Sequence, residues 1–287
     1  MQLYEIYNPI TSTPFARCES YMEFPPCEEL KPYIKCFWGS ERPYQQFKTA
    51  TPLQSIVTPD SCMDIIFTVD YTNNQIHGKF CGIDNRSFVA QRITNEERML
   101  STFAIRFYPW SAIFFSEESM CDTKNAFYDL DCHFSKLKSE IEPLLFDVTH
   151  MRDRIRLTER YLLNHIHASR NNTILMDAIA QILVKRGNVK IECLARDIHT
   201  SNRHLERIFH ENIGISPKQL SSLVRYQYVW NDVLFRPGFQ VLDAVGQYGY
   251  TDQSYLLRDF KRFHTMNMAD ARRHAMQHVA FLQEEIR

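Results

Sequence analysis

Glycine is scarce in this chain of 287 residues, eight in all, and the scarcity excludes several chemistries together. The sequence contains no glycine-rich phosphate loop, no G-x-S-x-G nucleophile elbow and no H-E-x-x-H helix. We therefore expect no catalytic residue, no enzyme activity and no cofactor. No apolar run is long enough to span a bilayer, and the start MQLYEIYNPI lacks the basic residue and apolar core of a secretion signal. A cytoplasmic protein without a membrane partner follows as the expectation. None of the eight cysteines forms a C-x-x-C pair. The equal spacing of Cys18, Cys27 and Cys36 would suit a disulfide or metal framework, yet a chain of this length needs no such staple. Free, mostly buried thiols and no metal are expected. Charge of one sign is missing too: 33 Lys and Arg face 34 Asp and Glu, a formal net charge of −1.

What is present is a tandem pattern near the C-terminus. In Ile191 to Phe209, the residues Ile191, Leu194 and Ile198 recur at helical spacing, and Thr200 and Ser201 offer an N-cap for a following helix. On that helix Leu205, Ile208 and Phe209 form an i, i+3, i+4 stripe, which leaves Asn202, Arg203, Glu206 and Arg207 facing outward. Arg pairs bidentately with guanine and Glu accepts from the cytosine amino group, so this face carries groups able to read base edges. An amphipathic helix with a charged outer face is, taken alone, as often a plain solvated surface.

The plan repeats in Val241 to Phe260. Val241, Ala244 and Val245 make a short apolar helix, Gly249 permits a tight turn, and Thr251 or Asp252 caps a helix with the stripe Leu256, Phe260 and Phe263. Gln253, Ser254, Tyr255 and Arg258 lie in its first turns, where a reader helix enters the major groove, and Lys261 and Arg262 follow at phosphate-contacting positions. Ser216 and Pro217 open an intervening helix with an apolar stripe of Leu220, Leu223, Val224, Trp230 and Leu234. Such a helix would hold two readers roughly one DNA turn, about 34 Å, apart. From residue 188 onward the chain has 13 Lys or Arg against 11 Asp or Glu, a net +2, leaving −3 for the rest. That asymmetry is weak and implies binding through a localised stripe.

Four linked motifs carry a resemblance: Leu194-Ala195, the S-x-R-x-L-x-R-x-F run from Ser201 to Phe209, GISPKQ from Gly214 to Gln219, and GYTDQSYLLRDFKR from Gly249 to Arg262. Over about residues 185 to 273 the chain resembles the AraC/XylS family of bacterial transcription regulators. The resemblance implies two helix-turn-helix units joined by a linker helix, with base-reading faces on Asn202, Arg203, Glu206 and Arg207, and on Gln253, Ser254, Tyr255 and Arg258. Double-stranded DNA and the transcription machinery are the partners it implies. Two departures stand out. His199 occupies the place of the family's turn glycine, which predicts an altered turn. The family's closing G-x-x-P-x-x-Y-R is replaced by Thr265, Met268, Ala271 and Arg272, which predicts a last helix that begins differently or packs less firmly.

The first 135 residues read as strands. Short apolar runs at Gln54 to Thr58, Asp64 to Val69, Lys79 to Ile83 and Thr102 to Phe107 are separated by turn signals at Pro59-Asp60, Asn73-Asn74 and Asp84-Asn85. The segments Leu30 to Glu41, Ile56 to Phe67 and Phe103 to Phe115 are similar to an N-terminal domain of uncharacterised function that often precedes this DNA-binding unit. A small-molecule effector is the ligand class such a domain would take, and Trp38, Asp60, Cys62, Asp64, Arg106 and Trp110 are the candidate pocket residues. The structural alternative gives Asp60 to its turn, Cys62 and Trp38 to packing, and Arg106 to a carboxylate partner.

Between the parts, Ile155, Leu162, Leu163 and Ile166 mark one helix and Ile174, Ala178, Ile182 and Leu183 another, broken at Arg170-Asn171-Asn172 and closed at Arg186-Gly187-Asn188. These helices suit either a link from sensor to reader or a homodimer face. The expected fold class is α+β: a β-rich barrel or sandwich over 1–135, a helical connector over 136–186, and an all-α double helix-turn-helix domain over 187–287. The expected function is sequence-specific DNA binding by a transcription regulator that reads two adjacent major grooves. Two alternatives stay open: a partner-binding module that has lost DNA recognition, and a DNA-repair methyl acceptor using Cys132 beside His133.

Overall fold

The computed structural model describes residues 2–10, 21–48, 53–92 and 96–284. Cys18 lies outside them. Among the described residues nine strands come first: β1 Met22–Phe24, β2 Ile34–Gly39, β3 Tyr44–Gln46, β4 Leu53–Val57, β5 Met63–Asp70, β6 Gln75–Cys81, β7 Phe88–Arg92, β8 Arg98–Phe107 and β9 Phe127–Asp129. A short α1, Leu3–Ile6, precedes them. The helices that follow are α2 Asp131–Ile141, α3 Met151–Asn164, α4 Thr173–Val184, α5 Ile191–Asp197, α6 Asn202–Ile213, α7 Pro217–Phe235, α8 Val241–Gln247, α9 Gln253–His264 and α10 Met268–Glu284.

The expected β domain takes the form of two antiparallel sheets. The larger has seven strands in the order β1-β2-β8-β5-β6-β9 with β3 also on β8, and the smaller pairs β4 with β7. Alternation along β5 sets the faces: Met63, Ile65, Phe67 and Val69 are fully buried on one side, while Asp64 points to the other. Phe103 of β8 lies on that core side between Phe37 and Phe67, with ring centroids 6.0 and 6.3 Å away. Helix α2 closes this face, bringing Phe134 to 4.9 Å from Phe80.

Helices α3 and α4 lie in the chain between the strands and the helix-turn-helix region. α3 buries Ile155 and Leu162 as its pattern requires, but Leu163 is exposed and Ile166 falls beyond its end. The inward positions belong instead to Met151, Thr158, Tyr161 and Arg154. Arg154 is buried because backbone carbonyls receive it: it donates to Val148 O at 2.6 Å and Leu145 O at 2.7 Å, and to the Tyr71 hydroxyl at 2.9 Å. Asn172 caps α4, accepting the Leu175 N–H at 3.1 Å, and Arg186 and Gly187 end it in the left-handed region at φ +49° and +75°.

The β domain and the C-terminal helices are joined by specific bonds. Gln227 of α7 accepts the Ile10 N–H at 2.8 Å and donates to Pro59 O at 2.7 Å. The Tyr228 hydroxyl donates to Ile6 O at 2.9 Å, the Met120 N–H to Glu211 O at 2.8 Å, and the Ser87 N–H to Phe263 O at 3.0 Å. Among the described residues no helix is long and apolar enough to cross a membrane.

Candidate nucleic-acid interface

The two helix-turn-helix units are built from the same local rules. Ser201 caps α6 and accepts the His204 N–H at 3.2 Å; Asp252 caps α9 and accepts the Tyr255 N–H at 2.7 Å. Each preceding turn closes with the same backbone bond, Thr200 N to Ala195 O at 2.9 Å in the first unit and Tyr250 N to Val245 O at 3.0 Å in the second. The turn residues themselves are His199 at φ +54° and Gly249 at φ +65°. The altered turn expected from His199 is therefore not formed: histidine takes up the left-handed backbone that glycine takes in the other unit, at the steric cost a Cβ brings there.

Both stripes are buried as their spacing dictates. Leu205, Ile208 and Phe209 seat α6, and Leu256, Phe260 and Phe263 seat α9. The outward sets emerge on the surface: Asn202, Arg203, Glu206 and Arg207 are exposed on α6, and Gln253, Ser254, Tyr255, Arg258, Lys261 and Arg262 on α9. Arg203 and Arg258 stand without an ion pair among the described residues. Arg207 is held by Glu211, with both carboxylate oxygens 2.9 Å away. Tyr255 packs edge-on against Tyr250 at 5.6 Å, which fixes its ring beside the first turn of α9.

Between α6 and α9, α7 begins with a full capping box, Ser216 accepting the Gln219 N–H at 3.1 Å while Gln219 accepts the Ser216 N–H at 2.9 Å. Its 19 residues make a rod of about 28 Å at the usual helical rise. All five stripe positions are buried. The sequence pattern missed the polar braces that lock α9 to α7. The Tyr226 hydroxyl lies 2.8 Å from His264 Nδ1, and burial pushes the His264 imidazole down to about 4. Asp259 meets Arg262 at 2.8 Å, the Tyr250 hydroxyl at 3.2 Å and Arg225 at 3.8 Å. Asp259 and His264 recur at i, i+5 on α9, off the apolar stripe, so only their burial marks them.

The closing segment also holds. Thr265 ends α9 at φ +63°, and α10 starts after Asn267, which accepts the Asp270 N–H at 2.9 Å. Met268 and Ala271 are buried, so the last helix begins on an asparagine cap and still packs.

In the β domain, strand register and the turn before β5 bring five of the six candidate pocket residues together. Cys36, Arg106, Asp64 and Cys81 are successive partners across β2, β8, β5 and β6. Arg106, 2% exposed, donates to Asp64 through Nε at 2.9 Å and Nη2 at 3.0 Å, and lies 3.5 Å from Asp60 and 3.7 Å from Glu23. The Trp38 indole donates to Asp64 at 3.1 Å and its ring underlies the guanidinium at 5.5 Å. Asp60 accepts the Cys62 N–H at 2.9 Å. Trp110 is engaged elsewhere, stacked on Tyr108 at 4.8 Å and donating to Pro32 O at 3.1 Å.

The electrostatics follow from burial. Burial raises the Asp60 carboxyl, with Arg106 opposing and Asp64 adding to the rise. Burial works against the Arg106 guanidinium, but Asp64 and Asp60 outweigh it and hold it charged. Asp84 is pushed up to about 7 by burial and then by the Asp60 and Asp64 charges. The Cys36 thiol is pushed up to about 12 by burial, and Cys62 and Cys81 rise for the same reason. These thiols are protonated at neutral pH and poor nucleophiles. Cys132 is exposed, while the His133 ring is buried against Phe80 at 5.2 Å. Among the described residues no hydrogen bond joins that pair.

Comparison with known proteins divides the chain in two. Residues 22–129 match a family described as a domain of unknown function, DUF6597, and residues 194–274 match a helix-turn-helix domain family. The lactose operon transcription activator of Staphylococcus xylosus is 24% identical over 87 residues, which cover 30% of this chain and 31% of that protein. The match thus spans about a third of that relative's length. Among solved structures, ToxT from Vibrio cholerae in its P21 form is 12% identical, covering 82% of this chain and 98% of that one at a TM-score of 0.39. A fatty-acid-bound ToxT structure is 10% identical, covering 80% and 92% at a TM-score of 0.38.

Proposed function

We propose that this chain, which carries an AraC-type helix-turn-helix domain behind an N-terminal domain of unknown function, is a sequence-specific DNA-binding transcription regulator. The carrying observation is the pair of capped helices α6 and α9, each seated by an apolar stripe and each presenting an exposed polar face. Placed in successive major grooves by α7, they read a bipartite site through Arg203 and Glu206 on one side and Ser254, Tyr255 and Arg258 on the other. Residues 1–135 act as sensor, 136–186 as connector and 187–287 as reader. A small effector bound near Trp38, Asp60 and Arg106 acts on the reader through the Gln227 bond to Pro59.

Selection of duplexes from a random pool by the full chain tests the reading, with a motif of two half-sites about one turn apart as the expected result. Arg203→Ala and Arg258→Ala then each relax preference in one half-site, at about 1–3 kcal/mol per lost bidentate contact. An unenriched pool, or a footprint unchanged by both substitutions, removes the assignment. The effector is tested by DNA affinity of the full chain across a metabolite panel, where no response to any compound argues against sensing.

A further inference from the structure

The reader helices do not stand alone on the surface that carries them. A groove of about 720 Å³ beside α6 is lined by Arg203, Glu206 and Arg207, and also by Lys124, which belongs to the β domain. A second groove of about 350 Å³ is lined by Lys218 and Arg262 of the reader domain and by Arg86 of the β domain. Gln219 lines both, so the two grooves adjoin there. Along them stand six Lys or Arg side chains and a single carboxylate, Glu206, in a chain whose net charge is −1. This concentration of positive charge is invisible to a count along the sequence.

Arg86 and Lys124 are held there by the fold. Their loops are clasped to each other: the Asn85 N–H donates to Asn125 Oδ1 at 2.8 Å, and Asn125 Nδ2 donates to Asn85 Oδ1 at 3.0 Å. One loop is fastened to the end of α6 by the Met120 N–H on Glu211 O, the other to the end of α9 by the Ser87 N–H on Phe263 O. Asp84 and Asp122 lie on these loops, and Glu211 accepts the Met120 N–H through its backbone carbonyl. Glu211 is engaged by Arg207, Asp122 lies 4.0 Å from His210, and Arg86 draws the Asp84 carboxyl downward against its burial. Neither Arg86 nor Lys124 forms an ion pair among the described residues, and both are exposed.

We propose that Arg86 and Lys124 bind backbone phosphates of the DNA held by α6 and α9, so that the N-terminal domain is itself part of the DNA interface. The proposal rests on the DNA-binding reading above. Duplex engaged by a recognition helix lays its phosphates along the flanks of that helix, and such contacts add affinity without base preference. A cation contributed by the sensor domain also makes affinity depend on how that domain sits on the reader.

The test is a salt titration of the full chain on its selected duplex, comparing wild type with Arg86→Ala/Lys124→Ala. Each lost phosphate contact lowers the slope of log K against log salt by about 0.9, so the double variant should fall by about 1.8 with its base preference unchanged. Lys136→Ala/Arg160→Ala, exposed positions outside both grooves, removes the same charge and should leave the slope intact. An unchanged slope for Arg86→Ala/Lys124→Ala, or an equal fall in the control, overturns the proposal. Tighter binding by the variant also overturns it and makes these loops a barrier to DNA. Should wild type select no duplex at all, the DNA-binding reading itself falls, which is a separate and recognisable result. Circular dichroism of both variants establishes that the fold is kept.

Discussion

Gln227 donates its side-chain amide to the carbonyl of Pro59 over 2.7 Å, so α7, the helix between α6 and α9, is bonded directly to the turn that carries Asp60. The same side chain accepts the Ile10 N–H at 2.8 Å, and it is buried. Gln227→Leu would fill a similar volume but leave one buried backbone donor and one buried acceptor unmatched. Each such group costs about 1–3 kcal/mol. We expect a clear fall in the unfolding midpoint of the full chain by thermal denaturation. A midpoint within the scatter of wild type would show that these groups find other partners.

His199 at φ +54° and Gly249 at φ +65° hold matching turns with different residues. The left-handed backbone costs a residue with a Cβ about 1–2 kcal/mol, while glycine loses about 0.5–1 kcal/mol through its greater freedom when unfolded. His199→Gly is therefore expected to be neutral to mildly stabilising, by about 0–1.5 kcal/mol. His199→Val, branched at Cβ, is expected to destabilise. Urea unfolding of the two variants checks the pair, and the order Val above Gly would contradict the strained turn.

The helix ends were readable from sequence because their chemistry is local. Ser201, Ser216 and Asp252 each bond an N–H within three residues, so the residue type and the following stripe are enough to place them. The β-domain cluster was readable only as residue types. Arg106 meets Asp64 because β8 and β5 pair in one particular register, and nothing within either strand states that register. Gln227, Asp259 and His264 were hidden for a related reason. Periodicity separates an inward face from an outward one, but these polar side chains are buried by Pro59, Arg225 and Tyr226, residues from other elements. The same limit kept Lys124 and Arg86 out of view, since their nearness to α6 and α9 is a product of domain packing.

Asp84 links the β domain to pH. Its carboxyl is raised from 3.8 to about 7 by burial and by the neighbouring Asp60 and Asp64 charges. The folded chain thus keeps a proton that the unfolded chain releases near pH 4, and the stability from this group is complete below pH 4 and lost as pH rises to about 7. His264 acts in the opposite sense: held down at about 4, it withdraws stability as pH falls from about 6.5. The wild-type profile sums the two, so Asp84→Asn is the informative variant. The difference in unfolding free energy between Asp84→Asn and wild type should grow between pH 4 and 7, by up to about 1.4 kcal/mol per pH unit, and level off above. A difference that stays flat across this range would remove Asp84 from the account.

Arg106 presents the sharpest energetic asymmetry in the β domain. Two carboxylates, Asp64 and Asp60, lie within 3.5 Å of its nitrogens, and the Trp38 ring covers its face. Removing only the guanidinium leaves Asp64, whose side chain is 16% exposed, with its counter-charge gone, a loss of up to about 3–5 kcal/mol, whereas replacing a whole buried pair with apolar side chains is often close to neutral. Arg106→Leu should therefore be severely destabilised, and Asp64→Leu/Arg106→Leu should recover a substantial part of the loss, with Asp60 passing to its neutral form as burial already favours. Urea unfolding of the two variants and wild type reads this directly. If the double variant is no more stable than Arg106→Leu, the guanidinium is retained for bonds other than the Asp64 pair, and the row across β2, β8, β5 and β6 is not the unit that holds it.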